Sequence, residues 1–281
     1  MRSAPPKILH AAGIGWPRNV TPLLSWALDL SAWRERVVLG ATGFRSSTHP
    51  RPSTYQATKG SSPSFDYNAQ TRTMSTPAIV FTEVETIGLL PAYTDNTHEF
   101  SFIQHGADLL AWLANAEHIA STSTIYEDDF LWKVLICNVV WQSLQTILLQ
   151  GRVERTYKQC YDYFAKCLRR SPVPSMEEAS RPLVPMQRES FEHFLRSFSG
   201  TCACTRLFKT SDGLVGMCPP LSDVGDQLAL IQGAPTPFVL QRREADDLGD
   251  YVYSLVGECY VHGLMNGKGM KRGEMKRFGL V

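Results

Sequence analysis

A chain of 281 residues, 43% hydrophobic, is long enough to bury a substantial core in one or two domains. Its 28 Lys+Arg against 27 Asp+Glu leave a net charge of +1, which argues against a dedicated nucleic-acid binder, whose affinity rests on neutralising phosphates. Seven cysteines, an odd number in a chain too long to need staples, point to reduced thiols in a cytoplasmic protein rather than to a disulfide framework.

Residues 1–75 read as an irregular, linker-rich segment. Arg2, Lys7 and Arg18, with no acid before Asp29, resemble a transit peptide in charge. Pro5, Pro6, Pro17 and Pro22 would break the amphipathic helix such a peptide needs. Trp26 and Trp33 are expected to anchor an extended segment to a core, with ligand stacking as the alternative. Arg45 to Asn68, rich in serine, threonine and proline, offers little apolar area to offset ordering entropy and reads as a loop or partly disordered linker.

Residues 76–200 read as mainly helical after an opening strand. Pro77 to Ile87 alternates Val80, Thr82, Val84 and Thr86 with Phe81, Glu83, Glu85 and Ile87, the period of a strand. Asn96 to Glu99 fits a helix N-cap with an acid at the third position. Phe102, Leu109, Leu113 and Ala116, flanked by Ile103 and Leu110, make one apolar helix face. Glu127 to Gln150 is expected to form the next helix, with Glu127, Asp128 and Asp129 at its positive end. Its stripe of Asn138, Gln142 and Gln145 makes it amphipathic rather than membrane-spanning. Val153, Tyr157, Cys160, Phe164 and Leu168 mark a third helix, ending at Arg170. Ser171 to Pro185 reads as a proline-rich connector. Phe191, Phe194, Leu195 and Phe198 mark a last helix, with Gly200 as its C-cap.

Residues 201–270 change character, with short apolar runs punctuated by glycine, proline and aspartate. Arg206 to Thr210 and Leu214 to Met217 are strands joined by Ser211-Asp212-Gly213, a strong hairpin signal. Gly225-Asp226 opens Gln227 to Gln232, and Pro235 and Pro237 fence off Phe238 to Arg242. The longest strand, Tyr251 to His262, closes at Gly263 to Gly267. Period two puts Tyr253, Leu255, Gly257, Cys259 and Val261 on a core face. Ser254, Val256, Glu258, Tyr260 and His262 fall on the other, which reads as a solvated face or a polar groove. The expected fold class is α+β, with a helical middle region and a C-terminal small antiparallel β-barrel-like module. Residues 271–281 close the chain as a basic tail, solvated and frayed, with Lys271, Arg272, Lys276 and Arg277 following Lys268.

The run Leu255-Val-Gly-Glu-Cys-Tyr-Val-His-Gly-Leu-Met-Asn-Gly267, with the Phe208-Lys-Thr hairpin and Phe238-Val-Leu, resembles the C-terminal region of fungal heterokaryon incompatibility (HET) domain proteins. The residues carrying the resemblance are Gly213, Gly216, Pro219, Gly225, Asp226, Gly233, Gly257, Glu258, Tyr260, Val261, His262, Gly263, Met265 and Gly267. Pro22 to Asp29 resembles the segment that follows the HET module in that family. Lys268 stands where the family more usually has an acid. The opening motifs of the HET module itself are missing, so the resemblance implies the downstream part of such a protein, truncated. It also implies a role in non-self recognition and cell death through protein partners that the sequence leaves unidentified.

The chemistry-bearing residues add no site of their own. Cys202-Ala-Cys204 lacks the second ligand pair a structural zinc needs; Cys218 and Cys259 stand alone, and Cys160 and Cys167 read as buried small hydrophobes. His10, His49, His98, His105, His118 and His193 are scattered. Glu258 and His262 could orient and act as a base for Cys218 or Cys204 in a hydrolase. No G-x-S-x-G elbow, G-x-G-x-x-G loop or P-loop accompanies them. The expectation is a non-enzyme without cofactor or metal, in which Gly257, Gly263 and Gly267 are architectural and Glu258 and His262 hold the turn.

Overall fold

The computed structural model describes residues 9, 12–16, 18–20, 23–27, 29, 55–91, 102–126, 129–142, 145–148, 151–202, 205–243 and 252–281. It divides into two units: residues 1–87 with 208–281, and residues 88–207. The helical unit is thus an insertion, in sequence, between strands of the β unit. The division differs from the expected one, because the strand of residues 77–87 belongs with the C-terminal sheet and not with the helices that follow it.

The β unit is organised around β2 (Thr73–Ile87), which receives β1 (Asp66–Asn68) as a short antiparallel neighbour. After the insertion come β5 (Arg206–Thr210) and β6 (Val215–Cys218), then β7 (Gln227–Ile231), β8 (Phe238–Arg242), β9 (Val252–Glu258), β10 (Tyr260–Val261) and β11 (Lys276–Leu280). Met74 to Ala78 of β2 pair with β11, which lies parallel to β9. β9, β8 and β7 follow antiparallel, and β7 pairs back onto β2 from Ala78 to Glu83. The far half of β2, from Val84 to Ile87, pairs instead with β5, beyond which lie β6 and β10. One strand serves both arms because its register slips between Val80 and Thr82 and again between Val84 and Thr86, and such bulges bend and twist a strand. Met74, Ala78, Phe238, Leu240, Tyr253, Leu255, Phe278 and Leu280 form the main apolar cluster.

Two expectations fail in this unit for the same reason. The tail is not frayed: Phe278 and Leu280 are buried, and β11 sits between β2 and β9. The stretch before β1 is not a bare linker, since Tyr55, Ala57 and Thr58 are buried and Gln56 N donates to Met265 O at 2.8 Å. Both segments look polar in isolation, yet each is taken up by backbone hydrogen bonds from distant chain, β11 with β2 and β9, and Gln56 and Ala57 with the turn carbonyls of Met265 and Pro235. Residues 45–54 and Trp33 lie outside the described residues, while Trp26 packs against the main cluster as an anchor.

The helical unit contains α1 (Phe102–Ser121), α2 (Leu131–Leu135), α3 (Gly151–Leu168), α4 (Met176–Ser180) and α5 (Pro185–Cys202). Trp112, Phe164, Phe194 and Phe198 meet in its core, with ring centroids 4.8–6.2 Å apart. The long helix expected over Glu127 to Gln150 is not formed. α2 ends after one turn, Cys137 and Asn138 take φ of 50° and 55°, and β3 (Val139–Gln142) turns back onto β4 (Gln145–Leu148). Left-handed backbone terminates a helix, and Val139, Val140, Trp141, Thr146 and Ile147 suit a pleated hairpin better. Ser175 caps α4 by a reciprocal bond with Glu178, inside what reads as a plain connector. Gly200 is no cap, since α5 continues to Cys202. The N-cap expected at Asn96 lies outside the described residues.

Candidate functional site

The family-like residues converge on the β9–β10 strand and the turns around it. β9 carries one residue more than β8 where Val239 pairs with Gly257 and Leu240 with Leu255, so Val256 is the extra residue of a bulge. That bulge breaks period two. Both faces of the strand are consequently buried, Ser254, Val256, Glu258 and Tyr260 included, and the expected solvated face or open groove is absent there. The core face of Tyr253 and Leu255 is as expected.

Gly257 has a φ of 153°, and a Cβ there would stand 2.7 Å from Trp16 Nε1 and 2.8 Å from Pro219 Cγ. Gly216 is held by close approach of a different kind. A Cβ would fall 2.0 Å from the carbonyl oxygen of Tyr260, which lies opposite Met217 as β10 pairs with β6. These two positions admit no side chain. Gly213, Gly225, Gly233, Gly263 and Gly267 occupy the turns, all at positive φ. Val261 and Met265 are buried on either side of the Gly263 turn, where Leu264 N donates to Val261 O at 3.1 Å.

The polar members of the set are engaged in short-range bonds. Glu258 is 3% exposed and accepts a hydrogen bond from Thr236 Oγ1 at 3.3 Å. Tyr260 Oη lies 3.0 Å from His262 Nδ1, and His262 N donates to Val215 O at 2.9 Å. Asp226, 4% exposed, accepts from Asp223 N at 2.8 Å while its own backbone links to Val84 of β2. Burial, reinforced by the neighbouring Asp223 charge, pushes the Asp226 carboxyl up to about 6, against the bond from Asp223 N and the Arg243 charge. Asp212 of the β5–β6 turn goes the other way. Burial works to raise it, but bonds from Thr210 and Thr82 and the Arg272 guanidinium hold it below its ordinary range.

Of the two candidate nucleophiles, the one among the described residues, Cys218, is not presented to solvent. Cys218 is 1% exposed. Burial drives the Cys202 thiol far up, and its Sγ points at the Leu135 carbonyl oxygen 3.1 Å away. Cys204 lies outside the described residues. Cys160 is pushed up to about 12 by burial, and Cys167 is buried as well. Among the described residues no group of three His, Cys, Asp or Glu side chains is placed to hold a metal ion. No helix among them is long and apolar enough to cross a membrane.

Sequence reasoning missed the partners that shape this region. Trp16 walls Gly257 beside the family-like Pro219, Ser25 joins the middle of β9 to the residue after β11, and Thr236 meets Glu258. The Gly13-Ile-Gly15-Trp16 run was the available signal, because two glycines flanking one residue before an aromatic ring suggest close backbone approach.

Residues 183–281 match the model of the Het-6 beta-barrel domain family. The chain is also similar to heterokaryon incompatibility protein 6, OR allele, of Neurospora crassa, with 36% identity over 76 residues. That alignment takes in 27% of this chain and 11% of the relative's length. No solved structure matches the chain. β2, the partner of three strands of the β unit's C-terminal part, lies outside the matched residues.

Proposed function

We propose that this chain, whose C-terminal part is a region of the heterokaryon incompatibility family, is a non-catalytic regulatory or recognition region of a fungal non-self recognition protein. It acts in the cytoplasm through protein partners and takes part in the cell-death response that follows fusion of incompatible cells. The family match carries the reading. The geometry supports its non-catalytic side, because Glu258 and His262 are engaged with Thr236 and Tyr260 inside the fold and Cys218 is sealed from solvent. The path of strands that leaves β2 through β11 and returns to it through β7 is, on this proposal, the barrel of the matched family.

The test is expression in a fungal strain that carries a complete HET-domain protein, with death of fused cells scored by uptake of a vital dye. A changed death frequency, together with no ester or peptide hydrolysis by the purified chain, is the expected result. Hydrolysis abolished by thiol alkylation and by His262→Ala would replace this reading with the hydrolase alternative.

A further inference from the structure

The described residues between 12 and 29 form a strap bound to the sheet. Its shape is set internally: the Arg18 guanidinium donates to the carbonyl oxygens of Gly13, Leu23, Leu24, Ser25 and Ala27 at 2.8–3.2 Å. The Asp29 carboxylate closes the loop by accepting from Asn19 N at 2.7 Å and Val20 N at 2.9 Å. A guanidinium spreading its donors over five carbonyls ties these residues to one another.

The grip on the sheet is of another kind, a short backbone ladder plus one aromatic plug. Ile14 N donates to Leu255 O and Gly15 N to Val256 O, both at 2.8 Å, and Gly15 O accepts from Leu221 N at 3.1 Å. Trp16 fills the slot between Gly257 and Pro219. Ser25 Oγ accepts from Leu255 N at 2.9 Å and donates to the carbonyl oxygen of Val281, so one hydroxyl bridges β9 and the end of β11. The bulge at Val256 turns a carbonyl out of the β8–β9 ladder, and the strap takes it up. This is strand addition on a bulged strand, where main-chain bonds hold the peptide and a pocket selects its side chain.

We infer that Leu255 to Gly257 with Pro219 form a peptide-docking groove, filled here by the chain's own Gly13-Ile-Gly15-Trp16 strap, and that a second copy of this chain can supply the strap instead. Two observations favour the second copy over a foreign peptide. The glycines at 13 and 15 are matched to the groove atom by atom: a Cβ at Gly13 would lie 2.1 Å from Val256 O, and one at Gly15 would lie 2.6 Å from Val256 Cγ1. Residues 30–54 join the strap to Tyr55, a length that reaches at most about 85 Å when extended, enough to pass between neighbouring copies. An attached strap acts at an effective concentration on the order of millimolar, so the groove is expected to be filled in cis at low concentration and in trans only above it.

The experiment mixes two defective full chains. Gly13→Ala spoils the strap and leaves the groove intact; Gly257→Ala spoils the groove and leaves the strap intact. Light scattering of the equimolar mixture is expected to reveal a species of twice the chain mass that neither variant forms alone. A mixture that stays at single mass, or a doubled mass formed as readily by one variant alone, overturns the proposal. Where circular dichroism finds Gly13→Ala unfolded, Ser25→Ala serves as acceptor. Where Gly257→Ala is unfolded, a synthetic peptide of residues 12–29 serves as donor. The peptide is then expected to raise the Tm of the acceptor chain, and a Trp16→Ala peptide is not; an equal rise with both, or none with either, overturns the proposal.

Discussion

Trp16 packs so close to Gly257 that a single added carbon on the glycine would stand 2.7 Å from the indole nitrogen. Gly257→Val therefore meets a full slot and an unfavourable backbone at once. Its cost is expected to exceed about 3 kcal/mol, the sum of overpacking and a strained positive φ. His262→Ala removes one hydrogen bond to Tyr260 and should cost about 1 kcal/mol. Thermal melts of the two variants give the ranking, and equal melting temperatures would refute the architectural role assigned to Gly257.

Asp226 predicts a pH dependence with a definite sign. Its folded pKa of about 6 lies above the ordinary carboxylate value, so the native state holds this proton longer than the unfolded chain does. The stability it contributes is present at pH 4, is lost as pH rises towards 6, and stays lost above that. Asp226→Asn keeps an acceptor for Asp223 N and carries no charge to bury. It is expected to raise stability at pH 7 by on the order of 1–2 kcal/mol and to flatten the profile between pH 4 and 6. Urea titrations of both chains at pH 4.5 and 7 measure this; a variant less stable than wild type at pH 7 contradicts it.

The C-terminal strand should behave as core. Phe278 is buried edge-to-face on Tyr253, with ring centroids 5.4 Å apart. Phe278→Ala is expected to cost about 3–5 kcal/mol, whereas Lys276→Ala on the same strand should stay within about 0.5 kcal/mol. Chemical denaturation separates the two, and a neutral Phe278→Ala would restore the frayed-tail expectation.

Arg18→Ala should release the strap before it unfolds anything else. Five carbonyls lose their common donor, and hydrogen bonds to a charged group are worth about 1.5–3 kcal/mol. Limited proteolysis is expected to cut first between residues 18 and 29 in the variant and elsewhere in wild type. Arg18→Lys should resemble Arg18→Ala, because a single ammonium cannot reach that spread of acceptors. Identical digestion of all three chains would show that Arg18 does not set the strap's shape.

Local chemistry was enough to place most of the strands and the helix faces. The Asp212-Gly213 hairpin, the run Phe238 to Arg242 and the apolar faces holding Leu113, Phe164 and Phe198 follow from turn residues and periodicity, which act between near neighbours. The family-like set around Gly257 was likewise visible from residue identity alone. What Glu258, Tyr260 and His262 do there was not, because a one-residue bulge at Val256 breaks the alternation and both faces of the strand are covered by chain far away in sequence, Gly15 included. The same holds for Lys276 to Leu280, a polar tail made into a strand. In each case the deciding hydrogen bonds or burial come from chain many residues away, and local propensities of a few tenths of a kcal/mol per residue yield to them. Only the tertiary structure brought Trp16, Ser25 and the last residue of the chain onto one strand.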